Sequence, residues 1–228
     1  MRVLRGRAAT IDADRELVAE MLERTAESGD DAVRVWRPHR QLAFGRRDAR
    51  EEQYDAAASV ASSAGFEPVE RSVGGRAVAY TGTTVAFAHS TYLEDMRVGM
   101  DERYDKVTTA LQRALWRLGV PAQRGEPEGS FCPGDYSLHH DGKLVGVAQR
   151  VRKNAALVSG VVVVRDHEEI AEVLDPVYAA LGVPFETNSV GSIAKAGGKD
   201  DPDEVVETVE ELLVGEKGTE VVDVERNE

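Results

Sequence analysis

Apolar and polar residues alternate over residues 32–38, Ala-Val-Arg-Val-Trp-Arg-Pro, which predicts a half-buried strand. Further short strands are expected at 1–9, 41–45, 67–73, 77–80 and 83–91, the last rich in β-branched and aromatic residues. Between them the apolar period changes to that of a helix. Residues 12–28, capped by Thr10 or Asp12, carry Leu17, Met21 and Leu22 on one stripe. Residues 50–64 form a second helix closed by Gly65. The clearest amphipathic segment is 101–118, with Val107, Leu111, Leu115 and Leu118 at helical spacing, Gly119 as a C-cap and Pro121 as a stop. Two strands, 136–140 and 144–151, are joined by a His-Asp-Gly turn, and 155–164 reads as a buried strand. Helices are expected at 167–181, despite Pro176, and at 202–213, with Pro202 in the first turn.

This order is not a regular βαβ repeat. It predicts one α/β (α+β) domain over residues 1–214, with a mixed, largely antiparallel sheet flanked by helices. Residues 215–228 read as a charged tail expected to fray.

Composition narrows the function classes. The 228 residues carry 28 Lys+Arg against 41 Asp+Glu, a net charge of −13. Nucleic acid and anionic membranes would be repelled, so neither is expected as a partner. The acidic, arginine-rich composition has the character of a salt-adapted, halophile-like protein and equally that of an ordinary acidic cytosolic one. No apolar run is long enough to span a membrane, and the first residues lack a secretory apolar core, so a cytoplasmic location is expected. A single cysteine, Cys132, excludes an intrachain disulfide and a cysteine-built zinc site. The five histidines show no metal-ligand spacing, and His139 and His140, adjacent on a strand, point to opposite faces. No metal site is expected.

Three features carry candidate chemistry. Cys132 precedes Pro133-Gly134 and so lies on a turn, either as an inert thiol or as a nucleophile. Lys143 enters a strand whose Gly146 permits close approach of a ligand, where an ammonium could hold a carbonyl oxygen or a phosphate. Gly74-Gly75, flanked by Arg71 and Arg76 between two strand-like runs, reads as a hairpin turn whose backbone N–H groups could cradle an anion or a carbonyl. The Gly-Lys-Ser/Thr ending of a P-loop is missing, as is a serine nucleophile elbow.

Four segments together resemble the lipoate-protein ligase A and octanoyltransferase family, related to biotin-protein ligases. They are residues 38–46, ending Leu-Ala-Phe-Gly-Arg; Arg71-Ser-Val-Gly-Gly-Arg-Ala-Val; Lys143-Leu-Val-Gly-Val-Ala-Gln-Arg; and the loop and helix of 192–213. The resemblance implies a mixed-sheet biotin/lipoate-ligase-like fold and transfer of an octanoyl or lipoyl group to a lysine of a lipoyl-domain protein. It places Lys143 against the acyl carbonyl or an acyl-adenylate phosphate. By the same analogy Arg71, Gly74, Gly75, Arg76, Ala77 and Val78 line the acyl channel, with Gly146, Ala148, Gln149, Ser159 and Gly160 also binding substrate. Cys132-Pro-Gly-Asp-Tyr-Ser-Leu is similar to the Cys-Pro-Gly-x-Tyr-Asp-Leu segment of the cysteine-dependent amidotransferase branch, which makes Cys132 the expected nucleophile.

Three positions depart from the ligase pattern. Arg76 replaces a third glycine, Tyr80 or its neighbour a histidine, and Ser159 a later histidine. The amidotransferase reading needs no cofactor beyond the octanoyl or lipoyl substrate. The alternatives are an ATP- and Mg²⁺-dependent lipoate ligase, with an accessory domain on a separate subunit, and a non-catalytic carrier-binding module. The expected partners are a glycine-cleavage carrier protein and a 2-oxoacid dehydrogenase subunit.

Overall fold

The computed structural model describes residues 1–71 and 74–224. In chain order the elements are β1 (Arg2–Arg5), α1 (Ile11–Ser28), β2 (Ala32–Trp36), β3 (Gln41–Phe44), α2 (Tyr54–Ser63), β4 (Glu67–Glu70), β5 (Val78–Tyr80) and β6 (Val85–Tyr92). They continue with α3 (Met100–Arg117), β7 (Gln123–Arg124), β8 (Leu138–His139), β9 (Lys143–Arg152), β10 (Ala155–Val162), α4 (His167–Ala180), α5 (Pro202–Val214) and β11 (Glu220–Asp223). Helix ends follow local chemistry. Thr10 caps α1 by accepting from the Ala13 N–H, and Gly29 closes it at φ 78°. Asp201 caps α5 by accepting from Asp203 and Glu204, with Pro202 in its first turn.

The strands form two sheets. The larger runs β11-β1-β2-β6-β10-β9-β8-β7, parallel at β11-β1-β2 and antiparallel from β2 onward. The smaller runs β4-β3-β5, parallel on one side of β3 and antiparallel on the other. Helices α3 and α5 bury their stripes on one face of the large sheet against Val85, Phe87, Val145, Val158 and Val162. On the other face lie α1 and the small sheet, and α2 and α4 close over the small sheet in a second core.

Two expectations are corrected. The Gly74-Gly75 segment is not a hairpin turn: β4 and β5 do not pair, because β3 lies between them and the connection crosses its end. That crossing is tight enough that a Cβ on Gly45 would lie 1.8 Å from the Gly75 carbonyl oxygen. The tail does not fray from Gly215. Glu220–Asp223 adds a parallel strand to β1, so backbone hydrogen bonding outweighs its charge. Residues 72, 73 and 225–228, parts of an expected strand and of that tail, lie outside the described residues.

Candidate active site

A channel of about 170 Å³ runs between α1, the large sheet and the small sheet. Its room comes from β-strand alternation. On the channel side, β6, β9 and β10 present Ala86, Ala88, Gly146, Ala148 and Ser159, while bulkier neighbours such as Val85, Val145 and Val158 fill the opposite core. Gly160 must be glycine, since a Cβ there would lie 1.9 Å from the Gly146 carbonyl oxygen. Ile11, Val18 and Leu22 of α1 and Ala43, Val69 and Val78 of the small sheet make the remaining wall apolar.

Cys132 and Arg71 stand on this channel. The Cys132 backbone is held at φ 42°, a conformation that costs a non-glycine residue about 1–3 kcal/mol unless its surroundings enforce it. They do so at three points. The Cys132 N–H donates to the Tyr178 hydroxyl at 2.7 Å, and that hydroxyl in turn donates to the Ala77 carbonyl at 3.0 Å. The Cys132 carbonyl accepts from Lys143 Nζ at 2.8 Å. Sγ accepts from Arg71 Nη2 at 3.2 Å and from the Arg76 backbone N–H at 3.3 Å. Negative charge on sulfur therefore meets two donors, one of them cationic. Gly75, at φ 97°, lets this happen: a Cβ there would sit 2.5 Å from Sγ. Burial, followed by the neighbouring Cys132, pushes the Tyr178 hydroxyl well above the usual tyrosine range, so it stays protonated and able to donate to Ala77.

Lys143 is fully buried and does not reach the channel. Its ammonium donates to both Glu126 oxygens at 2.9 and 3.0 Å, to the Phe131 carbonyl at 2.9 Å and to Cys132. Burial pushes Lys143 below the usual lysine value, while the Glu126 carboxylate pulls it back. Glu126 also accepts from Ser130, Ser137 and the Gly134 N–H, at 3.0 Å for the last. One carboxylate thus gathers the whole Cys132 loop.

The sequence-predicted residues divide accordingly. Arg71, Val78, Gly146, Ala148, Ser159 and Gly160 line the channel with Cys132, and Gly75 adjoins Sγ. Arg76 contributes its backbone N–H, while its guanidinium turns to Asp48 and Glu51 at 2.9 and 3.0 Å. Gly74 is exposed, and Ala77 is buried in the second core with its carbonyl on Tyr178. Gln149 is not on the channel: β-strand alternation places it toward α3, where it accepts from Arg103 Nε at 2.6 Å. Sequence reasoning missed Glu126 and Tyr178, which meet Lys143 and Cys132 from 17 and 46 residues away along the chain. Among the described residues, no group of three or more His, Cys, Asp or Glu side chains is placed to hold a metal ion. Nor is any helix among them long and apolar enough to cross a membrane.

The family model of the lipoyl protein ligase A/B catalytic domain matches residues 9–213. The chain belongs to this family. A curated relative, the octanoyl-GcvH:protein N-octanoyltransferase of Exiguobacterium sibiricum, is 31% identical over 120 residues, which cover 52% of this chain and 44% of the relative. The chain spans about half the length of the curated relatives it matches. A structure described as a T. acidophilum lipoate protein ligase shares the fold, with a TM-score of 0.70 at 19% identity over 98% of this chain and 87% of that one. Lipoate-protein ligase A bound with ATP also shares it, with a TM-score of 0.63 at 19% identity, covering 97% and 88%. The biotin/lipoate-ligase-like fold and the family expected from the sequence are both borne out.

Proposed function

We propose that this protein moves an octanoyl or lipoyl group from one lipoyl-domain protein to a lysine of another through a Cys132 thioester. One observation carries the proposal: Sγ, on the wall of an apolar channel, accepts from Arg71 and from the Arg76 N–H. The thiolate attacks the carbonyl carbon of the donor's acyl-lysine. A C–S bond forms, the C–N bond breaks, and the leaving nitrogen takes up the proton that the thiol released to solvent. The acceptor's neutral amine then attacks the thioester, the C–S electron pair returns to sulfur, and the amine's extra proton passes to solvent. An amide is exchanged for an amide, so the overall reaction is balanced without ATP. Two easier steps replace one difficult one. The donors at Sγ lie where they can also meet the carbonyl oxygen as charge develops on it. The channel supplies binding. A cavity of about 150 Å³ suffices to take up benzene, and each buried methylene of the acyl chain contributes about 0.8 kcal/mol.

Activation as an acyl-adenylate with ATP and Mg²⁺ would ask Lys143 for charge that Glu126 already takes, and a phosphate there would meet a carboxylate. The test is intact mass after incubation with an octanoylated lipoyl domain, without ATP. A hydroxylamine-labile octanoyl adduct, absent in Cys132→Ser, is expected. Transfer by Cys132→Ser, or transfer that requires ATP and releases pyrophosphate, would overturn the thioester.

A further inference from the structure

The site needs protein substrates, and two surface features beside it have no role in the chemistry above. The first is the turn that follows β3. Arg46, Arg47 and Arg50 are exposed there and, among the described residues, have no side-chain hydrogen bond or ion pair, in a chain whose other arginines are mostly engaged. The turn adjoins the nucleophile: Gly45 packs on Gly75, and Gly75 on Sγ. Of its own carboxylates, Asp48 and Glu51 share Arg76, and Glu52 is exposed.

The second feature leads into α3. Of the six exposed large apolar side chains among the described residues, four lie between Tyr92 and Met100. Met96, Val98 and Met100 are 49%, 62% and 55% exposed, with the unpaired Arg97 between them and the acidic Glu94 and Asp95 at the segment's start. The helix that it leads into is tied to the Cys132 loop: Tyr136 stacks on Tyr104 at 4.1 Å and donates to Asp101 at 2.7 Å.

The first feature thus adjoins the thiol through the small sheet, and the second leads into the helix that the Cys132 loop touches. Such an apolar patch flanked by arginines is the composition of a protein interface. Four arginines with no side-chain partner among the described residues, in a chain with net charge −13, match an acidic surface, which the rest of the molecule would repel.

Resting on the acyl-transfer reading, we propose that the turn of Arg46, Arg47 and Arg50 and the Met96–Met100 segment form one docking surface. Its occupant is a small acidic domain that presents its acylated or acceptor lysine on a turn flanked by carboxylates. Donor and acceptor use it in alternation, because there is one nucleophile.

The experiment measures binding apart from chemistry. Cys132→Ser protein is titrated calorimetrically with an unmodified lipoyl domain at low and physiological salt. Arg47→Glu/Arg50→Glu in that background is expected to weaken Kd at least tenfold and flatten its salt dependence. Met96→Ser/Val98→Ser is expected to weaken it several-fold at either salt. In the Cys132 background, both double variants are expected to take octanoyl from octanoyl-N-acetylcysteamine, which carries no protein and no phosphate, at the wild-type rate. Unchanged Kd in both double variants, or no binding by the parent, would overturn the surface. So would equal loss of small-thioester acylation and domain binding, which would mark a folding defect. If the parent binds through these residues but Cys132 takes no acyl group from either donor, the surface stands and the thioester reading falls.

Discussion

Lys143–Glu126 and Arg34–Asp14 are both ion pairs sunk into the protein, and both lysine and arginine are fully buried. Their surroundings differ. Around Glu126 the polar atoms are satisfied: Lys143 spends its donors on the carboxylate and on two carbonyls, and three further donors fill the carboxylate. Arg34 donates to Asp14 and to the Gly6 carbonyl and stacks over Trp36 at 4.3 Å. Yet Arg34 Nε and Asp14 Oδ2 have no hydrogen-bond partner among the described residues, and His39 Nε2 stands 3.8 Å from that carboxylate. A fully satisfied buried network admits one geometry, whereas a partly satisfied one leaves slack. The first holds Cys132 in a strained backbone. The second ties α1 to β2 beside the channel, where smaller precision suffices.

The largest effect should come from breaking the first pair. Glu126→Ala leaves Lys143 buried without a counter-charge, which costs about 3–5 kcal/mol of stability in denaturant melts. It also frees the Cys132 loop, and a displacement of about 1 Å lowers transfer on the order of 10²-fold. Lys143→Met/Glu126→Leu sharpens this point. With both charges gone, stability should return to within about 1–2 kcal/mol of the parent, while single-turnover acylation of Cys132 stays depressed. Recovery of both would show that the pair serves folding alone.

Breaking the second pair separates the roles. Arg34→Met should destabilise by about 3 kcal/mol, because Asp14 is left buried. Cys132 acylation by a small octanoyl thioester should persist at temperatures where the variant is folded. Loss of acylation there would put the two networks on an equal footing.

His89 is a buried group on which burial outweighs the pull of the nearby Asp31 carboxylate. Burial, aided by Lys106, pushes it down to about 4 from the usual 6.5, and Nε2 is unpartnered. The unfolded chain takes up this proton first as pH falls, so stability rises with pH between about 4 and 6.5. The full span is up to about 3 kcal/mol. His89→Phe should flatten that part of a stability–pH curve, and an unchanged slope would remove His89 as its cause. The smallest effect belongs to the surface. Arg117→Ala breaks an exposed pair with Glu211 and should cost less than about 1 kcal/mol.

Local pattern already carried much of this protein. The stripes of α1, α3 and α5, the caps at Thr10 and Gly29 and the His-Asp-Gly hairpin are legible because each depends on residues within a few positions. The motif segments around Arg71, Cys132 and Lys143 also marked the region of the site. Distant pairing was not legible. The period of two that identifies β3 and β5 as strands says nothing about which sheet they join. For the same reason Gln149 appeared beside Ala148 as a binding residue, although successive side chains on a strand face opposite ways.

The sequence by itself determined most of the elements, the family and the presence of a lone thiol near a glycine-rich segment and a lysine. Only the tertiary structure decided what each does. Lys143 became a buried clamp because Glu126 reaches it across the loop, and Tyr178 became a bridge because α4 packs over the small sheet. Such roles depend on desolvation and on partners brought together from far along the chain, and no local run of residues encodes either.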